Sequence, residues 1–246
     1  MPIIYLSPST QEYNKYVNVG TEEEWMNRLA DAMEPLLFAS GIRYSRNTPD
    51  MTAASSIAAS NQGTYDLHLA LHSNAAGPGQ EGTKRGIIAF YFPGSTQGFV
   101  AAQNLADGLK AIYPLPNQVR TEGTKALGEI RRVRAVAVLL ELGFHDNAQD
   151  AQWIITHIDE MARSIVLSLT EYFVIPFFDA ATPTPAQVQA ESGALAVYPR
   201  PSTFSAPIAK LYDGAQVTIL NRYEDWYLVQ FGDVVGYAAA AFIAPI

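Results

Sequence analysis

The run Ala135 to Leu142 is apolar at every position except Glu141. A strand that apolar on both faces must be covered on both faces. That requirement points to a central strand of a mostly parallel sheet with helices packed above and below. The neighbouring sequence agrees. Ile3–Leu6, Ile42–Arg46, Asp66–Ala75 and Gly86–Phe92 read as further strands, and Glu22 to about Ser40, Thr52–Asn61, Phe99–Ile112 and Trp153–Tyr172 carry helical patterns. Thr21 and Glu24 have the spacing of a capping box at the first helix, and Pro35 marks a bend or boundary near its end. Strands alternating with helices over 1–175 predict an α/β fold, a mostly parallel twisted sheet flanked by helices.

After residue 175 the pattern changes. Residues 176–193, with Thr-Pro-Thr-Pro and no apolar period, read as a linker. From Ala194 to the end, short alternating strands separated by Pro, Gly and Asp turns predict a small C-terminal all-β barrel over 194–246.

Composition narrows the function classes. The 246 residues carry a net charge of −8 and include no cysteine. Thiol nucleophiles and Cys-type zinc sites are therefore excluded. The only basic cluster, Arg131, Arg132 and Arg134, is too short for a nucleic-acid surface. No apolar run reaches the ~18 residues of a membrane span. The start, Met-Pro-Ile-Ile-Tyr-Leu, lacks the charged n-region of a signal peptide.

Two residues on strands stand out chemically. A carboxylate inside Val-Leu-Leu-Glu-Leu-Gly-Phe costs several kcal/mol to bury unpaired. Glu141 is thus a candidate general acid or base, its pKa raised by desolvation. Asp66–Ala75 holds two of the four histidines, His68 and His72, on one face of a strand that ends in a Gly-rich loop. At ~3.3 Å per residue their backbones lie roughly 13 Å apart, too far to share one ion easily. An isolated pair of this kind more often serves packing. Glu141 likewise has a plain structural reading, as an acid bound to backbone at a strand end.

Three stretches carry a family resemblance: Tyr65–Ala75 with its His-x-Asn-Ala ending, Val138–Asn147 with Glu-x-Gly-Phe-x-x-Asn, and the helix start Gly20–Ala30. Residues 1–175 resemble the zinc-dependent N-acetylmuramoyl-L-alanine amidases, which cut the bond between the lactyl group of the glycan and the first alanine of the stem peptide. The resemblance implies one zinc ion, with Glu22 and His72 as ligands and Glu141 as the catalytic carboxylate. Counting back from Ala30 favours Glu22, and counting back from Asn27 favours Glu23.

Where the family has a zinc-binding His in Asp-Pro-Gly-His-Gly, this chain has Ser7-Pro8-Ser9-Thr10-Gln11, so Thr10 replaces a ligand. His145, four residues past Glu141, is the substitute expected on physical grounds. His68 and Gln11 are the alternatives. Asn74 and Arg131 are expected to face substrate.

Residues 194–246 resemble a bacterial SH3-like cell-wall-binding domain, on Ala196–Ser202, Asp213–Val217, Trp226–Val229 and Gly236-Tyr237. Tyr198, Tyr223, Trp226, Tyr227 and Tyr237 are the aromatic faces expected to meet the wall, Tyr198 and Trp226 foremost, and packing of the barrel is the plain alternative for each. The expected partner is peptidoglycan, the expected state a monomer. The expected place of action is outside the cell or in the wall, either as a secreted protein or as a phage lysin released from the cytoplasm. The departure at Thr10 leaves a second reading, a degenerate amidase that binds the wall without cutting it.

Overall fold

The computed structural model describes residues 1–191 and 193–246; Ser192, in the stretch read as a linker, lies outside the described residues. The chain packs as two compact units. One comprises 3–34 and 44–172, and the other 1–2, 35–43 and 173–246.

The larger unit holds a six-stranded sheet in the order β2-β1-β3-β6-β4-β5. These strands are β1 (Ile3–Pro8), β2 (Arg43–Arg46), β3 (Leu67–Asn74), β4 (Ile87–Tyr91), β5 (Val119–Gly123) and β6 (Ala137–Phe144). β1 runs parallel to β3, β3 to β6 and β4 to β5, while β4 is antiparallel to β6. The expected mostly parallel sheet is therefore the one observed. β6 lies between β3 and β4, as its continuous apolar run requires, and Val138, Leu140 and Leu142 are fully buried.

The helices are α1 (Glu22–Ala39), α2 (Ala53–Gln62), α3 (Thr96–Ile112), the four-residue α4 (Gly128–Arg131), α5 (Ala148–Thr156) and α6 (Ile158–Phe173). α1 forms because Met26, Leu29, Ala30, Met33 and Leu37 recur at helical spacing, and all five are fully buried. At its start Thr21 Oγ accepts from the N–H of Glu24 at 3.2 Å. The carboxylate of Glu24 does not return the cap; it takes Arg28 at 2.6 Å instead. The single last helix expected over Trp153–Tyr172 is two, broken at His157, whose backbone leaves the helical region (φ −123°, ψ 25°). The apolar period runs on across the break, which hides it from a periodicity argument.

The smaller unit is antiparallel throughout its described pairings. One sheet has the order β12-β11-β10-β7-β13, and β8 pairs with β9. The strands are β7 (Thr184–Val188), β8 (Ala194–Val197), β9 (Ala209–Tyr212), β10 (Gln216–Tyr223), β11 (Trp226–Phe231), β12 (Val234–Ala239) and β13 (Ile243–Pro245). The stretch read as a linker thus carries an interior strand, β7, bonded to both β10 and β13. Ala186 and Val188 point into the core with Val197, Leu211 and Val229. Among the described residues no helix is long and apolar enough to cross a membrane.

Candidate active site

The site lies where β3 and β6 end. His72 and Glu141 are register partners on these parallel strands, so their side chains leave the sheet side by side on one face. The register shifts just beyond, between His72 and Asn74. Gly143 has φ +128°, a backbone value suited to glycine, and an added Cβ there would stand 3.2 Å from the Ile154 side chain.

His72 is gripped at both ring nitrogens. Nδ1 meets Glu22 Oε1 at 2.8 Å, and Nε2 meets Glu129 Oε2 at 2.9 Å. Glu22, the first residue of α1, is 1% exposed and takes a further 2.6 Å bond from Asn14 through Oε2. The N-terminal end of a helix also favours an anion. Glu23 is only half-buried, so the helix phase selects Glu22 as the inward acid. The carboxamide of Gln11 approaches the same Nδ1 edge, with Nε2 at 3.3 Å.

Glu129 was not visible to sequence reasoning. It sits in the short helix α4 and is nearly buried. Through Oε1 it accepts from Ser7 Oγ at 2.6 Å and meets His68 Nε2 at 3.2 Å. His68 is fully buried, stacked on Tyr5 and bonded through Nδ1 to Ser60 at 2.9 Å. The two histidines are therefore not independent: one carboxylate joins them below the site. The available signal was an acid between the apolar Leu127 and Ile130, a weak one.

These contacts set the charges. Burial opposes the charged form of His72, but its bonds to Glu129 and Glu22 outweigh that and hold its pKa well above the ordinary value. Burial pushes Glu22 and Glu129 up, yet their bonds to histidine pull both below the usual carboxylate range. Glu141 has no such partner. Its Oε2 is buried without a hydrogen bond, and burial pushes its pKa up to about 7, with the charges of Glu22 and Glu129 adding to the rise and that of His72 opposing it. A carboxyl group poised near neutrality beside a cationic ring is suited to proton transfer.

The structure does not bring His145 to the His72 edge. Its Nδ1 faces Ser73, 3.0 Å from the carbonyl and 3.1 Å from Oγ, and its ring stacks on Tyr16. A carbonyl only accepts, so Nδ1 carries the proton in that bond. Among the described residues no three His, Cys, Asp or Glu side chains are arranged to hold a metal ion. The reason is visible at His72: Glu22 and Glu129 take opposite edges of one ring, so an ion at Nδ1 reaches Glu22 alone of the two.

The other expected contacts scatter. Asn74 Oδ1 accepts from the N–H of Ala75, and Arg131 is exposed at the end of α4. Within the smaller unit Tyr198 and Trp226 are half-buried and meet edge to face at 5.7 Å. Tyr237, by contrast, is core.

Comparison with known proteins agrees with this architecture. The family model for N-acetylmuramoyl-L-alanine amidase matches residues 10–171, and that for bacterial SH3 domain matches 193–244. Similar solved structures include the amidase AmiC2 of Nostoc punctiforme, at 11% identity and TM-score 0.61, covering 70% of this chain and 96% of that one. The amidase from Clostridium difficile 630 aligns at 18% identity and TM-score 0.61, covering 70% and 96%. The catalytic domain of CwlV from Bacillus (Paenibacillus) polymyxa var. colistinus aligns at 14% and 0.62, covering 72% and 100%. A sequence search found no match among curated proteins. The family match covers more than half of the chain, and the chain belongs to the N-acetylmuramoyl-L-alanine amidase family, with a bacterial SH3 domain at its C-terminal end.

Proposed function

We propose that this chain hydrolyses peptidoglycan at the amide between the lactyl carbonyl of N-acetylmuramic acid and the L-alanine of the stem peptide. The observation that carries the reading is Glu141: a carboxyl with an unpartnered buried oxygen, beside His72, at the strand ends of an amidase fold. The family implies zinc. The Nδ1 edge of His72 suits an ion, because Glu22 Oε1 and the Gln11 carboxamide converge there and Glu129 fixes the ring from the far side. Glu22 and His72 would hold it. When bound, zinc supplies Lewis acidity that polarises a carbonyl and brings a water's pKa to about 7.

The residues of the chain do the rest. Glu141 accepts a proton from the attacking water and returns it to the alanine nitrogen as the C–N bond breaks. Glu129, held by Ser7 and His68, keeps the ring of His72 from turning. Residues 1–175 serve as the catalytic part and 194–246 as the wall-binding part, with Tyr198 and Trp226 offering aromatic surface to glycan or peptide. Action is at the cell wall, outside the cytoplasm.

The test is chemical. Digestion of purified sacculi should release stem peptides with a new alanine amino terminus and leave the glycan strands uncut. The replacement at Thr10 favours a second reading, a wall-binding protein without hydrolysis. Zinc-loaded protein that binds sacculi and releases no peptide selects that one.

A further inference from the structure

We infer that Gln11 supplies the third protein donor to a divalent cation at this site, through its side-chain carbonyl oxygen, alongside Glu22 and Nδ1 of His72. The inference rests on the amidase reading above and adds a ligand of this chain's own. Glu129 faces Nε2 and Glu22 faces Nδ1, and the Nδ1 edge also has the Gln11 side chain beside it, so an ion that replaces the Nδ1 proton there has a further donor within reach besides Glu22. Among the described residues the groups bonded at Nδ1 are Glu22 Oε1 and the carboxamide of Gln11. His145 and His68 are held elsewhere, by Ser73 and by Ser60 with Glu129.

The carboxamide now points Nε2 at the ring, while its Oε1 accepts from Tyr13 Oη at 3.0 Å and from Asn14 Nδ2 at 3.2 Å. A half-turn about the last side-chain torsion exchanges the two ends. The Tyr13 hydroxyl accepts as well as it donates and so keeps a bond to Nε2. Asn14 keeps its 2.6 Å bond to Glu22. The turn gives up the 3.2 Å bond from Asn14 and the 3.3 Å contact of Nε2 with the ring, and presents an oxygen where Glu22 and His72 already converge. Gln11 follows directly on Thr10, so the loop after β1 still furnishes a donor to the site. An amide oxygen is a harder and weaker donor to zinc than an imidazole. The site therefore holds zinc less tightly than one with histidine at this position.

The test uses the full chain stripped with chelator. Zinc affinity is read by competition with a chromophoric chelator, and ligand type by the visible absorption of the Co2+ form. The wild-type chain should bind one ion. Gln11→Ala should weaken binding by about tenfold or more with the metal-free unfolding midpoint unchanged, and Gln11→His should tighten it by a similar factor and change the Co2+ spectrum. If the wild type binds one ion and neither variant alters affinity or spectrum, the Gln11 assignment falls and the amidase reading stands. A wild-type chain that takes up no ion overturns the assignment together with the zinc part of that reading.

Discussion

His72 and Glu141 share one register position on neighbouring parallel strands, which sets a doubly bonded imidazole beside a carboxyl with a buried, unpartnered oxygen. The pair divides the work by environment. Partners on both sides favour the charged form of His72 in the metal-free site, and desolvation raises the pKa of Glu141 to about 7, so that both its forms are available near neutral pH.

This arrangement predicts a stability cost at Glu141. Its folded pKa of about 7 lies above the ordinary Glu value of ~4.3. The folded protein therefore holds the proton more tightly, and its contribution to stability falls as pH rises from about 4.5 to about 7, then levels. In metal-free protein, Glu141→Gln should be more stable than wild type by about 1–3 kcal/mol at pH 8 and equal to it at pH 4. Urea unfolding at both pH values measures this; a variant less stable at pH 8 contradicts it.

Glu129 behaves in the opposite sense. Its pKa is depressed in the fold, so its stabilisation is present above the unfolded value and is lost as pH falls through the folded one. Glu129→Ala would leave Nε2 of both His68 and His72 without its carboxylate, while Ser7 keeps its 2.8 Å bond to Ser56. A loss of about 3–5 kcal/mol in unfolding free energy at pH 7 is expected, and a smaller one for Glu129→Gln. Loss of under about 1 kcal/mol in the alanine variant would remove Glu129 from this role.

The adjacent acids Glu22 and Glu23 allow the proposed ligand register to be tested. Glu22 is inward and bonded to His72, whereas Glu23 is half-exposed. Glu22→Gln should abolish zinc retention after dialysis, and Glu23→Gln should retain the wild-type zinc content, with stability within about 0.5 kcal/mol. Metal analysis of the two variants checks the register directly.

Asp150 anchors the same end of the sheet without chemistry of its own. Fully buried, it accepts from Arg85 at 2.7 Å, from Tyr113 Oη at 2.6 Å, and from the N–H groups of Gly86 and Phe144. Asp150→Ala leaves four donors without an acceptor. It should cost about 3–5 kcal/mol, visible as a lowered urea midpoint in zinc-free protein.

Much of the fold was legible where one physical signal dominated. The apolar run of β6 and the period of α1 describe elements that are buried as the pattern requires. β5 escaped because Arg120 and Glu122 are exposed and its pattern is polar. β7 escaped because Pro185 and its threonine neighbours argue for a loop, although the strand lies inside its sheet. At the site, Glu22 and His72 were named from the sequence and the structure brings them together, while the physical argument for His145 did not anticipate its bond to the Ser73 carbonyl. Glu129 reaches His72 only through tertiary folding, across 57 positions, and no local pattern encodes such a contact.

The most direct test of the account is digestion of purified sacculi by zinc-loaded wild type and Glu141→Gln, with released peptides read by mass spectrometry and zinc content measured on the same samples. Stem peptides with free amino-terminal alanine are expected from the wild type, and at least a hundredfold less from the variant at unchanged zinc content, as for loss of a general base. Release by the variant at the wild-type rate, or none from zinc-loaded wild type, would contradict the account.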